Sequence, residues 1–169
     1  GFISENNLKP VLMANTHCHF DHLLGVNYCR EKYKARFFIP KNELGLLKLA
    51  SGMADLFGIS IERVELPDQE LTEGDILNFG NSALKVIAAD GHSPGGIVFY
   101  CQEQNFLVTG DALFYGSIGR SDLPGGNYEN LVHNIKTKLL TLPEETKVYC
   151  GHGPETTIGV EKKNNPFLT

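Results

Sequence analysis

The sequence predicts an α/β layered domain, with helices laid over the faces of β-sheet. Three observations predict it. Short apolar runs separated by turn residues dominate from residue 62 onward. Stretches with helical spacing lie before and after them. A length of 169 residues is that of one domain with room for a substantial core.

Taken in order, residues 2–8 read as the end of a helix that Pro10 stops, and Val11 to Asn15 as a short buried strand. Leu23 to Tyr33 is predicted helical, Ala35 to Ile39 extended, and Asn42 to Phe57 helical. In that last helix Leu46, Leu47, Leu49 and Ala50 begin an apolar stripe that Met53, Leu56 and Phe57 continue, which reads as core or as a lid. Strands are expected at Glu62 to Leu66, Ile76 to Phe79, Ala83 to Ala89, Ile97 to Cys101 and Phe106 to Thr109. Turns at Glu73-Gly74-Asp75 and Gly80-Asn81 make this a meander. A helix from Tyr128 to Leu140, a strand from Lys147 to Cys150 and a short helix near Thr157 to Lys163 follow. No repeat, low-complexity tract or linker divides residues 1–169, so they form a single domain. The chain opens at the tail of a helix with no strand ahead of Val11, so the domain is expected to be N-terminally incomplete, with a sheet edge or face uncovered.

Composition narrows the function classes. A hydrophobic fraction of 41 % with 21 % charged residues is that of a soluble globular protein. No apolar stretch nears the roughly 18 residues of a membrane helix, and the first residues lack a signal peptide's pattern, which leaves the cytoplasm as default. A formal charge of -5 argues against a nucleic-acid partner, because such binders need a basic face. Cys18, Cys29, Cys101 and Cys150 show no CxxC spacing and sit in or beside apolar runs, so reduced, packed thiols are expected.

Chemistry concentrates in Thr16-His17-Cys18-His19-Phe20-Asp21-His22. In an extended segment alternate side chains share a face, so His17 and His19 can address one ion while Cys18 points away. If the backbone turns helical at Asp21, then Asp21 and His22 face a second point nearby, and the spacing suggests two neighbouring ions. His92, Asp111 and His152 each follow a buried strand with a glycine immediately before them, which presents them at the sheet's C-terminal edge. Five of the six histidines thus lie just beyond the end of a predicted strand. The sixth, His133, lies within the Tyr128–Leu140 helix and reads as solvated or structural.

Together, Thr16 to His22, Gly91-His92, Gly110-Asp111 and Gly151-His152 resemble the five-motif pattern of the metallo-β-lactamase fold superfamily, an αββα sandwich with metals at one edge. Gly116 to Gly126 and Gly151 to Gly159 resemble the short bacterial glyoxalase II-like (hydroxyacylglutathione hydrolase-like) hydrolases. The resemblance implies that His17, His19 and His92 hold one divalent ion, that Asp21, His22 and His152 hold a second, and that Asp111 bridges. Zinc is the first choice, with iron or manganese suited to the same donors. It also implies N-terminal strands beyond those present here. Longer glyoxalase II enzymes add a C-terminal helical segment for glutathione, which this chain lacks at Asn165 to Thr169.

The activity expected is hydrolysis of a small-molecule thioester such as S-lactoylglutathione by a metal-bridging hydroxide, with Asp21 and Asp111 orienting the nucleophile. Arg120 and the weaker candidate Tyr128 would contact substrate, Arg120 through a carboxylate. Tyr115 is expected to pack. The alternatives are a mononuclear iron persulfide dioxygenase and a lactonase. A β-lactamase is disfavoured because its well-known subclass places a cysteine where Asp111 stands. A metal-free fragment, or a dimer exchanging elements to cover an exposed sheet, is the non-catalytic reading.

Overall fold

The computed structural model describes residues 1–169. A first βαβ unit comprises β1 (Leu12–Ala14), α2 (Val26–Tyr33) and β2 (Arg36–Pro40), preceded by the short α1 (Phe2–Glu5). Then come α3 (Leu44–Leu56), β3 (Gln69–Leu71), and the meander β4 (Ile76–Phe79), β5 (Ser82–Ala88), β6 (Ile97–Cys101) and β7 (Phe106–Gly110). The chain ends with the hairpin β8 (Leu113–Phe114) and β9 (Ser117–Ile118), α4 (Tyr128–Asn134), β10 (Lys147–Cys150), β11 (Thr156–Thr157) and α5 (Ile158–Asn164).

Strands β1, β2 and β3 form a parallel sheet in that order. The second sheet runs β11-β10-β7-β6-β5-β4 and is antiparallel except where β10 lies parallel to β7. Period-two alternation sorts side chains into three apolar layers. On β2, Phe37 and Ile39 face Leu47 and Ala50 of α3, while Phe38 points the other way. Phe38 meets Val86, Ile97 and Phe99 between the sheets. The outer face of the second sheet gives Ile87, Val98, Tyr100, Leu107 and Val148 to Leu131, Ile135 and Leu139 of the α4 segment and Ile158 of α5. The order is therefore helix, sheet, sheet, helix, the αββα sandwich.

Helix spacing matches these faces. Leu47, Ala50 and Ala54 bury one side of α3, and the 3-10 turn Lys41–Glu43 leads into it. Asn127 caps α4 by accepting from the Asn130 amide, and the helix passes into a π-helical turn over Ile135–Leu139. The Thr157 hydroxyl caps α5 at the Val160 amide.

Three expectations need correcting. Glu62 to Leu66 is not a strand; the parallel partner of β2 is Gln69–Leu71 instead. Side chains from α2 claim the carbonyls of this stretch, Asn27 donating to Arg63 and Arg30 to Leu66, while Val64 is buried against the α3 layer. With those groups committed and Pro67 next, no ladder forms until residue 69. Tyr115 does not pack: at the tip of the β8–β9 hairpin it is 60 % exposed. The helix expected from Leu23 starts as α-helix only at Val26, after a 3-10 turn at Phe20–His22. In the three-stranded sheet, β1 pairs on one side only, and on the inner face of the larger sheet the Phe106 and Tyr149 rings meet 5.8 Å apart, with Tyr149 40 % exposed.

Candidate metal centre

Because β5 and β7 both run antiparallel to β6, and β10 parallel to β7, the C-terminal ends of β5, β7 and β10 share one edge. His92, Asp111 and His152 follow those ends in turn. The loop after β1 crosses the same edge, fastened by the Ile97 amide donating to the Thr16 carbonyl (2.9 Å). Glycine is required ahead of all three residues, Gly91 included, where a Cβ would overlap the Leu131 amide. Gly110 has φ +50°, and a Cβ there would overlap the Thr16 hydroxyl; a Cβ on Gly151 would overlap Asp111 Oδ1. A Gly110→Ala variant is accordingly expected to lose about 2–4 kcal/mol of stability and to bind metal more weakly, since the left-handed backbone and the overlap add. Denaturant unfolding and metal titration would check this.

All seven residues expected to hold metal converge. Three overlapping sets form: His17, His19 and His92; His17, His22 and Asp111; and Asp21, His22 and His152, each with donor atoms within 4.8 Å of one another. Asp111 stands between them, with Oδ1 3.3 Å from His22 Nε2 and Oδ2 3.7 Å from His92 Nε2 and 3.5 Å from His152 Nε2. At the mouth, Asp21 Oδ2 lies 3.1 Å from His152 Nε2. Cys18 points into the apolar layer under α3, where burial, then the nearby Glu43 charge, push its thiol well above the usual range.

The donor set suits a cation. The buried atoms His17 Nε2, His22 Nε2 and Asp111 Oδ1 have no hydrogen-bond partner, which is costly unless an ion satisfies them. His92 Nδ1 donates to the Arg120 carbonyl (2.7 Å), so in the neutral ring the Nε2 lone pair faces the cluster, 2.9 Å from His19 Nδ1. Burial, with the neighbouring His22 adding, brings His17 down to about 2, and burial followed by His92 brings His19 down to about 4. Burial pushes the Asp111 carboxyl up, but His22 and the other imidazoles outweigh it and hold it low. Burial likewise lowers His22, and Asp111 with Asp21 more than reverses it.

These shifts set an acid limit on the metal-free protein. An unfolded histidine titrates near 6.5, so below that pH the unfolded chain takes protons that His17 and His19 refuse in the fold. His22 shifts the other way, so its contribution is complete below 6.5. Stability should therefore fall as pH drops from about 6.5 toward 4, with a slope approaching two protons per molecule. Denaturant midpoints measured across that window would check it; a flat profile would contradict it.

Two loop-fastening side chains escaped the sequence reading. Glu43 is fully buried; its Oε2 accepts from the Cys18 amide (2.8 Å) and its Oε1 from the Gly95 amide (2.7 Å). It thereby ties the His17–His22 loop to the loop carrying His92. Asn15 Nδ2 donates to the carbonyls of His17 and His22. Neither sits in a motif, since each is read only through the backbone of a distant or folded-back loop. Arg120 reaches the site's cleft, yet its guanidinium is paired with Asp122 (Nε–Oδ1 2.8 Å, Nη2–Oδ2 2.7 Å). Tyr128, half exposed at the start of α4, is not among the residues lining that cleft. His133 is exposed on α4, as expected.

A two-sheet sandwich with this cluster at one edge defines a class, and the Metallo-beta-lactamase superfamily profile matches residues 3–152. The chain belongs to that superfamily, a fold that holds divalent metals. Among its relatives, the probable metallo-hydrolase YqgX of Bacillus subtilis is 43 % identical over 99 % of this chain and 80 % of its own. The hydroxyacylglutathione hydrolase GloC of Haemophilus influenzae is 37 % identical over 96 % and 76 %. The mouse mitochondrial persulfide dioxygenase ETHE1 is 32 % identical, covering 99 % of this chain and 60 % of that protein. Two solved structures superpose closely. One is TTHA1623 in a di-iron-bound form (TM-score 0.91, 39 % identity, 99 % of this chain and 82 % of that one). The other is the BLEG-1 B3 metallo-beta-lactamase (TM-score 0.92, 38 % identity, 99 % and 81 %). No helix is long and apolar enough to cross a membrane.

Proposed function

We propose that the protein is a metal-dependent hydrolase of thioesters, with S-lactoylglutathione as the first substrate to test. The observation that carries this is the position of Asp111 between the His92 side and the His22–His152 side of one donor cluster, which suits two adjacent cations. Likeness to GloC supports the thioester, and likeness to a di-iron structure supports paired ions while leaving iron beside zinc.

Divalent ions held by these residues would supply Lewis acidity, polarising an acyl carbonyl and lowering the pKa of water from about 15.7 toward 7. The chain's own groups do the rest. His17, His19, His22, His92 and His152 supply nitrogen donors, and the Arg120 carbonyl fixes the tautomer of His92. Asp111, held ionised, contributes the anionic donor. Asp21, at the solvent side beside His152, accepts the proton that the attacking water gives up. Water adds to the acyl carbon, the C–S bond breaks, and a carboxylic acid and a thiol result. A thiol of pKa near 8.5 departs as its thiolate, so the step needs no protein acid.

Elemental analysis of the purified protein, followed by turnover of S-lactoylglutathione, a lactone, a β-lactam and glutathione persulfide, tests the reading. Two ions with thiol release from the thioester is the expected result. One iron with oxygen uptake on the persulfide would overturn it.

A further inference from the structure

The cleft over the metal cluster is built for an apolar group. Its floor carries His19, His92 and Asp111, so whatever reacts there must lie between its walls. Those walls are Phe20, Leu46, Leu49, Met53, Phe57 and Leu123, enclosing about 200 Å³. The stripe on α3 thus has two sides: Leu47, Ala50 and Ala54 serve the core, while Leu49 (61 % exposed) and Phe57 (65 %) face outward along the cleft. Phe57 closes one end by packing on Phe20, ring centroids 5.3 Å apart. Large apolar side chains held in water around a reaction centre mark a site for an apolar ligand. The one cation lining the cleft, Arg120, is engaged at two points by Asp122 at the exposed rim.

We propose that this cleft seats the aliphatic acyl chain of the thioester, so that medium-length acyl thioesters are preferred to the small, polar lactoyl group. The inference rests on the hydrolase reading above and specifies its substrate class. Size supports it. A dry cavity of about 150 Å³ accepts benzene, so about 200 Å³ corresponds to roughly six to eight carbons. A peptide thiol bearing two carboxylates would find neither that shape nor a free counter-charge inside, and would extend into solvent.

The test uses full-length, zinc-loaded protein and S-acyl esters of N-acetylcysteamine from acetyl to decanoyl, with S-lactoylglutathione alongside. The value of kcat/KM should rise about three- to fourfold per methylene and level off near six to eight carbons. Leu49→Asp, at an exposed position that tolerates charge without unfolding, should flatten that rise and cut hexanoyl turnover at least tenfold while the melting temperature holds. Binding of butanol, hexanol and octanol to the metal-free protein should show the same chain-length trend and the same loss in Leu49→Asp. A flat turnover series, or lactoylglutathione outpacing hexanoyl ester, would overturn the acyl seat and leave the hydrolase reading standing. No thioester turnover with the alcohol trend intact would overturn the hydrolase reading and support an apolar seat for another substrate.

Discussion

If the site takes the two ions proposed above, replacing Asp111 with alanine is expected to reduce bound metal to one ion or none and to lower kcat/KM at least about a thousandfold, roughly 4 kcal/mol of transition-state stabilisation. The reason is its place in the cluster. Its side chain is only 12 % exposed, and its two oxygens lie 3.3 Å, 3.5 Å and 3.7 Å from His22, His152 and His92. Four imidazoles, those of His17, His19, His22 and His92, pack with ring centroids 4.2–4.9 Å apart. Without the buried anion between them, bringing divalent charge among these rings loses its main electrostatic support. Asp111→Asn, which keeps one oxygen donor without the charge, should retain more metal than alanine and still lose most activity. Elemental analysis with steady-state kinetics reads both; unchanged metal content in Asp111→Ala would sink the bridging role.

Glu43→Leu should cost about 3–5 kcal/mol of stability and lower the melting temperature by about 10 °C, although Glu43 touches no metal donor. The substitution strands the buried Cys18 amide and the part-buried Gly95 amide, which had carboxylate acceptors at 2.8 Å and 2.7 Å. It also unties two loops that deliver His17, His19 and His92, so metal affinity should fall about 10- to 100-fold even in the folded fraction. Glu43→Gln retains one carbonyl acceptor and should lie between. Calorimetric unfolding, zinc competition and amide exchange at Cys18 and Gly95 measure these effects. A leucine variant that melts within about 2 °C of the parent with protected amides would refute the account.

Much of this arrangement was legible in the chain. The Thr16–His22 spacing, with His17 and His19 on one side and Asp21 and His22 swung round by a turn, depends only on local backbone geometry, and the 3-10 turn at Phe20–His22 does this. The repeated strand, glycine and ligand pattern at His92, Asp111 and His152 is local too, because each glycine answers to a close approach or a turn. Glu62 to Leu66 was misread for a non-local reason: its apolar spacing suits a strand, but the side chains of Asn27 and Arg30, more than thirty positions away, take its carbonyls. Arg120 read as a free clamp because its pairing with Asp122 depends on how the glycine-rich loop folds back.

What the amino-acid order determined alone was the inventory: an α/β alternation, a set of imidazoles and carboxylates, and the local turns that aim them. Tertiary structure decided the distances. Only the parallel alignment of β5, β7 and β10 brings residues 92, 111 and 152 to one rim, and only the packing of α3 over that rim lines it with Leu49, Met53 and Phe57. Local patterns are set by short-range backbone sterics, whereas a shared site and its walls come from which faces bury together, and that depends on the whole chain at once.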